Sequence, residues 1–199
     1  MSSVSLTTRL VPTLAAGAVA AALALTALLP GQASAAAPDA QRLRPPDVPE
    51  LIRAPAGNVP FLLGHALGTQ DYACKPTADG YAWTLVAPAA TLFDDRGKRI
   101  ATHYAGPTWR ANDGSTVVGA KVNDGLKPSP SAIAWLLLRA TSTTVGPDGE
   151  RLTATTYIQR VNTTDGLAPA SGCDATSVGA TASVPYTADY YFYRSAESE

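Results

Sequence analysis

From Leu51 onward, short apolar or alternating segments are separated by turn-forming residues along the chain. Five turn signals supply Gly or Asn where the backbone needs positive φ, which is typical of hairpins rather than of helices. No segment shows a sustained apolar period of 3.6 residues between helix caps. The pattern therefore predicts a single all-β antiparallel domain, either a β-sandwich or a barrel. The turn signals lie at 94–97, 112–114, 123–125, 147–149 and 164–166.

Nine segments between these turns have the character of strands. The run 133–138 is apolar without alternation, so it is either a strand buried on both faces or a short helix, and its shortness favours the strand. The last segment carries aromatic side chains on both faces, for example Tyr190 and Tyr191, which predicts a central position in a sheet. The nine segments are 61–67, 70–75, 81–87, 90–93, 99–104, 116–122, 133–141, 152–161 and 182–193.

The N-terminal part of the chain has the pattern of an export signal. After the charge of Arg9, an apolar stretch ends in small residues at Ala33 and Ala35, which fit an A-x-A cleavage site. A membrane anchor is the alternative, but the prolines and glycine that interrupt the stretch favour cleavage. The mature protein is expected to be secreted, without a membrane span. The predicted organisation is a signal peptide over 1–35, a Pro-rich extended leader over 36–50 and one β domain over 51–195.

Charge and residue content exclude several classes of function. The chain has 15 basic and 16 acidic side chains, so no basic stripe for nucleic acid is expected. A metal site is not expected either, because the only histidines are His65 and His103 and no metal-ligand spacing occurs. No cofactor is expected: Gly-x-Gly-x-x-Gly after a strand is absent, as is the βαβ alternation that a dinucleotide needs.

Both cysteines of the chain, Cys74 and Cys173, fall in the portion predicted to be exported. Exported proteins meet an oxidising environment, so a disulfide between the two is predicted. A catalytic thiol is the alternative, but it requires a free cysteine beside a histidine, and neither cysteine has one nearby in sequence. Closing a loop of about 100 residues restricts the unfolded chain by roughly 4 to 5 kcal/mol in the chain-entropy model.

The densest group of unusual side chains lies at 103–109, followed by a turn at 112–115. His103 and Trp109 are predicted to form a contact loop, although an ordinary corner with a plugging Trp has the same pattern. His103 could also act as a general base, oriented by Asp113, with Ser115 as nucleophile. No Gly-x-Ser-x-Gly elbow supports this hydrolase interpretation. The alternative is that His103 binds a loop carbonyl while Asp113 and Ser115 stabilise a turn.

Gln159 and Arg160 are polar neighbours on opposite faces of a predicted strand, so at least one is expected to point inward. An inward Arg160 must be paired, and Asp189 on the last strand is a candidate partner. The functional alternative is that these two side chains form the polar floor of a ligand pocket.

Several linked blocks of the chain resemble a known family. They include QDYAC at 70–74, HYAGPTW at 103–109, YIQRVNT at 157–163 and YTADYYFY at 186–193. Over about residues 51–193 the chain is similar to the secreted bacterial and fungal family catalogued as domain of unknown function 3455. The resemblance implies an exported globular protein, with Cys74 and Cys173 at the family's cysteine positions, and it brings no established activity.

The sequence favours a secreted, non-catalytic β domain that binds a partner outside the cell. Trp109 and His103 are the expected contact residues, and a cell-surface polysaccharide is the class of ligand that aromatic platforms most often serve. A hydrolase using His103, Asp113 and Ser115 is one alternative. A structural component of the envelope or matrix, with no defined small ligand, is the other.

Overall fold

Eight antiparallel strands follow one another around a closed barrel in the computed structural model, which describes residues 43–197. Each strand pairs with the next along the chain, and β8 returns to pair with β1. The prediction of an all-β antiparallel domain is confirmed, and the architecture is a barrel. The predicted signal peptide lies outside the described residues. The strands are β1 (Asn58–Thr77), β2 (Gly80–Phe93), β3 (Arg99–Tyr104), β4 (Thr108–Ala111), β5 (Thr116–Lys121), β6 (Leu136–Thr144), β7 (Tyr157–Asp165) and β8 (Thr181–Ser195).

The first hairpin is longer than the sequence predicted. The segments 61–67 and 70–75 form one continuous strand, β1, and 81–87 and 90–93 form β2. Gly68, which lies at the predicted break, continues the strand and allows a close approach to β2, because a Cβ there would lie 2.2 Å from the carbonyl oxygen of Ala89. The strand β3 pairs only with 90–93 of β2, so 80–89 has a strand neighbour on one side only.

Two other boundaries differ from the prediction for physical reasons. The predicted strand 99–104 is confirmed as β3, but the residues after it were expected to form a contact loop, whereas a tight turn over 105–107 connects β3 directly to the four-residue strand β4. The predicted strand 133–141 begins only at Leu136, because 133–135 precedes β6. The predicted strand 152–161 begins only at Tyr157, because 152–154 belongs to a turn. The last strand has neighbours on both sides, as its aromatic faces predicted.

The hydrophobic core has two parts, one inside the barrel and one outside it. The interior cluster includes the fully buried Leu92, Val117 and Phe192. An outer cluster, consisting of Val48, Ile52, Leu137 and Val161, lies where the N-terminal segment covers the outside of β6 and β7. The apolar run that begins β6 is therefore buried on both faces because the N-terminal segment covers the face that would otherwise meet solvent.

The two ends of the barrel differ. We call one the mouth end, where the turn 105–107 and the loops 122–135 and 166–180 lie beside the tip of the β1–β2 hairpin. The predicted disulfide is present there and joins Cys74 of β1 to Cys173, with Cα atoms 5.3 Å apart. The strand ends Asn58 and Ser195 lie at the opposite end. Within residues 43–197, no helix is long and apolar enough to cross a membrane.

Candidate functional site

A cavity of about 460 Å³ occupies the mouth half of the barrel interior. Its volume lies within the range of about 300 to 1,000 Å³ that is usual for small-molecule sites. The walls are mainly apolar and aromatic, whereas the other half of the barrel is filled by the interior cluster. Side chains that form these walls include Leu85, Pro88, Trp109, Leu136, Leu138 and Tyr190.

Three aromatic side chains in mutual contact form the inner wall of the cavity. His103 and Trp109 are cross-strand partners on β3 and β4, and their rings stack with centroids 4.2 Å apart and planes 7° apart. Tyr190 of β8 meets both rings edge-on. Strand alternation turns all three side chains inward, and Gly119 on β5 leaves room for the indole. Trp109 is 1% exposed and His103 is 3% exposed, so neither forms a surface contact loop.

His103 is held in its neutral form. Its Nδ1 lies 2.9 Å from the carbonyl oxygen of Thr108, which can only accept, so Nδ1 carries the proton and Nε2 is a hydrogen-bond acceptor. Burial lowers the pKa of His103 to about 4, against a smaller rise from the bond to Thr108. A neutral imidazole at physiological pH therefore faces the cavity.

Lowering the pH should destabilise the domain through His103. In the unfolded chain this residue gains a proton below its ordinary pKa of 6.5, whereas in the folded protein it stays neutral until about pH 4. Because the unfolded state then binds more protons, the free energy of unfolding falls as the pH drops from 6.5 toward 4. Between pH 7 and pH 5 the loss due to His103 should be about 2 kcal/mol.

Urea unfolding of the wild type and of His103→Phe at the two pH values measures this loss. Phenylalanine keeps a ring against Trp109 but does not titrate, so the variant should lose about 2 kcal/mol less than the wild type over the interval. His65 acts with the opposite sign, since its hydrogen bond to Asp95 helps to raise its pKa, and its contribution is lost as the pH rises. The contribution of His65 is the same in the wild type and in His103→Phe, so it cancels in the comparison. Equal pH dependence in the two would contradict the assignment.

Two buried donors at the cavity have no partner among the described residues. They are Nε1 of Trp109 and Nε2 of Gln70, and both side chains are almost fully buried. The Gln70 amide lies beside the hydroxyl of Tyr186 but forms no hydrogen bond of normal geometry with it. Buried N–H groups without an acceptor are unfavourable, and both residues line the cavity.

Arg160 brings a positive charge to the cavity wall. Its Nε and Nη2 donate to the carbonyl oxygen of Ala134 at 3.0 and 2.7 Å, respectively. The expected partner Asp189 lies elsewhere, because it accepts from Nδ1 of His65 at 2.6 Å and from Asn162 at 2.8 Å. The prediction that Asp189 pairs with Arg160 is wrong for this reason. Within residues 43–197, Arg160 has no carboxylate partner.

Residues 55–194 match the sequence model of a protein family that is described as a protein of unknown function (DUF3455). The chain belongs to this family. No curated protein and no solved structure shows significant similarity to the chain.

The structure of this DUF3455 domain separates the residues of the predicted triad. Asp113 and Ser115 lie in the turn between β4 and β5, at the end opposite the mouth. The Ser115 hydroxyl donates to Oδ1 of Asp113 at 2.6 Å and accepts from the backbone N–H of Leu152 at 3.1 Å. His103 makes its side-chain hydrogen bond to Thr108 instead. The described residues therefore form no Ser-His-Asp arrangement, and Asp113 and Ser115 stabilise a turn.

Gln159 lies on the outside of the barrel and not in the cavity. Its Nε2 donates to the carbonyl oxygen of Ile52 at 2.5 Å, and its Oε1 accepts from the Tyr193 hydroxyl at 2.8 Å. Gln159 therefore holds the N-terminal segment against β7 and β8. Its neighbour Arg160 lines the cavity, as the pocket interpretation expected. Because successive side chains of a strand point to opposite faces, Arg160 faces the cavity while Gln159 holds the N-terminal segment.

Sequence reasoning missed several residues of the cavity. Gln70 follows the inward positions of β1, such as Leu62 and Ala66, in strict alternation. A polar residue on an otherwise apolar face is the signal that could have identified it. Lys121 and Lys127 gave no such signal, because they lie at the rim, where β5 ends and the next loop begins.

Proposed function

We propose that this domain is a binding protein that takes up a small, largely apolar molecule inside its barrel. The observation that carries the proposal is the aromatic-walled cavity of about 460 Å³ inside the barrel. An eight-stranded barrel is just wide enough for side chains to fill it or for one small ligand to enter. Here side chains fill one half and leave the other half open, at the end where the loops meet.

The chemistry of the cavity supports binding rather than hydrolysis. A hydrolase needs a nucleophile within hydrogen-bond reach of its base, about 2.6 to 3.2 Å. The described residues that line the cavity include no Ser, Thr or Cys beside His103. The neutral imidazole of His103 is suited to orienting a bound molecule, because its Nε2 can accept a hydrogen bond. We therefore propose no catalytic role for His103.

A small ligand fits the site better than a polysaccharide chain. A sugar platform requires an aromatic face in contact with solvent, whereas Trp109 is 1% exposed and stacks on His103. The disulfide and the N-terminal sequence pattern support a place of action outside the cytoplasm. We propose that the protein is exported and binds its ligand there.

Filling the cavity should prevent binding. Ala134 lines the cavity and packs against the interior cluster, so Ala134→Phe places a ring in the open space. The neutral fluorescent probe N-phenyl-1-naphthylamine should bind the wild type with increased emission and with quenching of tryptophan fluorescence. We expect the variant to bind at least about 10-fold more weakly, which corresponds to 1.4 kcal/mol.

Ala82→Phe is the matched control, because Ala82 is exposed on β2 and does not line the cavity. It should bind the probe as the wild type does. Absence of probe binding to the wild type, or equal binding to the wild type and to folded Ala134→Phe, would contradict the proposed function.

A further inference from the structure

The cavity carries more positive charge than the protein neutralises. Among residues 43–197, three cationic side chains line it, Arg160, Lys121 and Lys127, against one acidic side chain, Asp124. The chain as a whole has a formal net charge of −1, whereas three cations and one carboxylate give this lining a formal charge of +2. At the exposed rim, Nζ of Lys121 lies 3.3 Å from Oδ1 of Asp124, and water screens the two charges there. Arg160 is the partly buried cation.

The guanidinium of Arg160 is oriented but not neutralised. Two of its nitrogens hold the Ala134 carbonyl, and Nη1 has no hydrogen-bond partner among the described residues. A guanidinium presents its donors in a fixed planar fork that matches a carboxylate. Burial is the main influence on the pKa values of Tyr72 and His103, and the charge of Arg160 lowers both, so its field reaches the cavity walls.

Three donors at the cavity have no acceptor among the described residues. Nε1 of Trp109, Nε2 of Gln70 and Nη1 of Arg160 are donors without partners, whereas Nε2 of the neutral His103 is an acceptor. Of these donors, Nη1 of Arg160 belongs to a partly buried side chain at the cavity wall, and a carboxylate offers it two oxygens with about four acceptor sites. Apart from the charged rim, the remaining wall is mainly aliphatic or aromatic.

We propose that the ligand is a monoanionic organic carboxylate, with its carboxylate at Arg160 and an apolar body against the wall formed by Trp109 and Tyr190. This inference rests on the proposed binding function and names its ligand class. One partly buried cation compensates one negative charge, whereas a doubly charged phosphate would need a second buried partner. Lys121 and Lys127, which are exposed at the rim, attract the anion as it approaches.

Decanoate and 1-decanol form a matched pair of probes with the same chain length. Removing a carboxylate from water is unfavourable, so a cavity without a partner for it would bind decanol more tightly. We expect decanoate to displace N-phenyl-1-naphthylamine from the wild type at a concentration at least about 10-fold lower than 1-decanol does, as charge-assisted hydrogen bonds imply. Arg160→Met should abolish the preference for decanoate over decanol.

Two further variants complete the experiment. Arg110→Met is the matched control, because Arg110 is exposed on β4 and does not line the cavity, and it should keep the preference. Arg160→Lys retains the charge without the planar fork and should keep part of the preference, which provides a second variant if Arg160→Met fails to fold.

The outcomes separate the two proposals. If the wild type takes up neither the naphthylamine probe nor either decyl compound, the binding function itself is wrong. If the probe and decanol bind but decanoate binds no better than decanol, the binding function stands and the carboxylate assignment is overturned. If decanoate is preferred equally by the wild type and by folded Arg160→Met, Arg160 is not its partner.

Discussion

Replacing both Cys74 and Cys173 with alanine should lower the free energy of unfolding by about 4 kcal/mol. The disulfide joins positions 99 residues apart, so its loss releases most of the barrel sequence in the unfolded state and makes that state more favourable. Urea unfolding monitored by circular dichroism measures the change. The expected loss is a large part of the 5 to 15 kcal/mol by which a typical domain is stable, so the urea concentration at the unfolding midpoint should fall clearly.

Reduction of the wild type supplies the control. A reductant should destabilise the wild type by about as much as the double substitution does, and it should have no further effect on the variant. The backbone bonds that Cys74 makes to 179 and 180 hold the loop in either case, so the barrel should remain closed. A loss below about 1 kcal/mol would contradict the chain-entropy account.

Trp109→Ala should lower the free energy of unfolding by about 3 to 5 kcal/mol. Trp109 is 1% exposed and contacts His103, Tyr190 and Phe192, so its removal leaves an unfilled space inside the barrel. The space adjoins the existing cavity, and its lining cannot collapse fully because closed strands fix the barrel diameter. Thermal or urea unfolding measures the loss.

Trp83→Ala is the matched control for this substitution. Trp83 lies on the β1–β2 hairpin near the mouth end and is not part of either core cluster. Its indole N–H donates to the carbonyl oxygen of Ser171 at 2.8 Å, and loss of that bond should lower stability by about 1 kcal/mol. Equal losses in the two variants would show that Trp109 does not have the central packing role assigned here.

Much of the fold could be predicted from local patterns. Alternation placed Tyr186, Ala188, Tyr190 and Phe192 on one face of the last strand, and all four belong to the interior cluster. Turn residues located the hairpins at 94–97 and 112–114 correctly. The strand β4 was missed because four residues are too few to show a period of two, and because Trp109 within it and the Gly106-Pro107 turn before it gave the segment the composition of a loop.

Closure of the barrel could not be predicted, because it depends on pairing between β1 and β8, which are far apart in sequence. The cavity could not be predicted either, because it also depends on which distant strands are neighbours. His103, Trp109 and Arg160 were identified as unusual residues, but only the order of the strands in the barrel places all three side chains at the same cavity. The separation of Asp113 and Ser115 from His103 also follows from that order, since the turn and the histidine lie at opposite ends.

The short pairing between β2 and β3 has a kinetic consequence. Residues 85–88 of β2 and the turn 105–107 both line the cavity, yet the strand pairing of β2 with β3 covers only 90–93. A molecule that passes between them would break no hydrogen bond of that pairing. Side-chain rotations take place in picoseconds to nanoseconds at exposed positions, so access by this route should not depend on the rate of global unfolding.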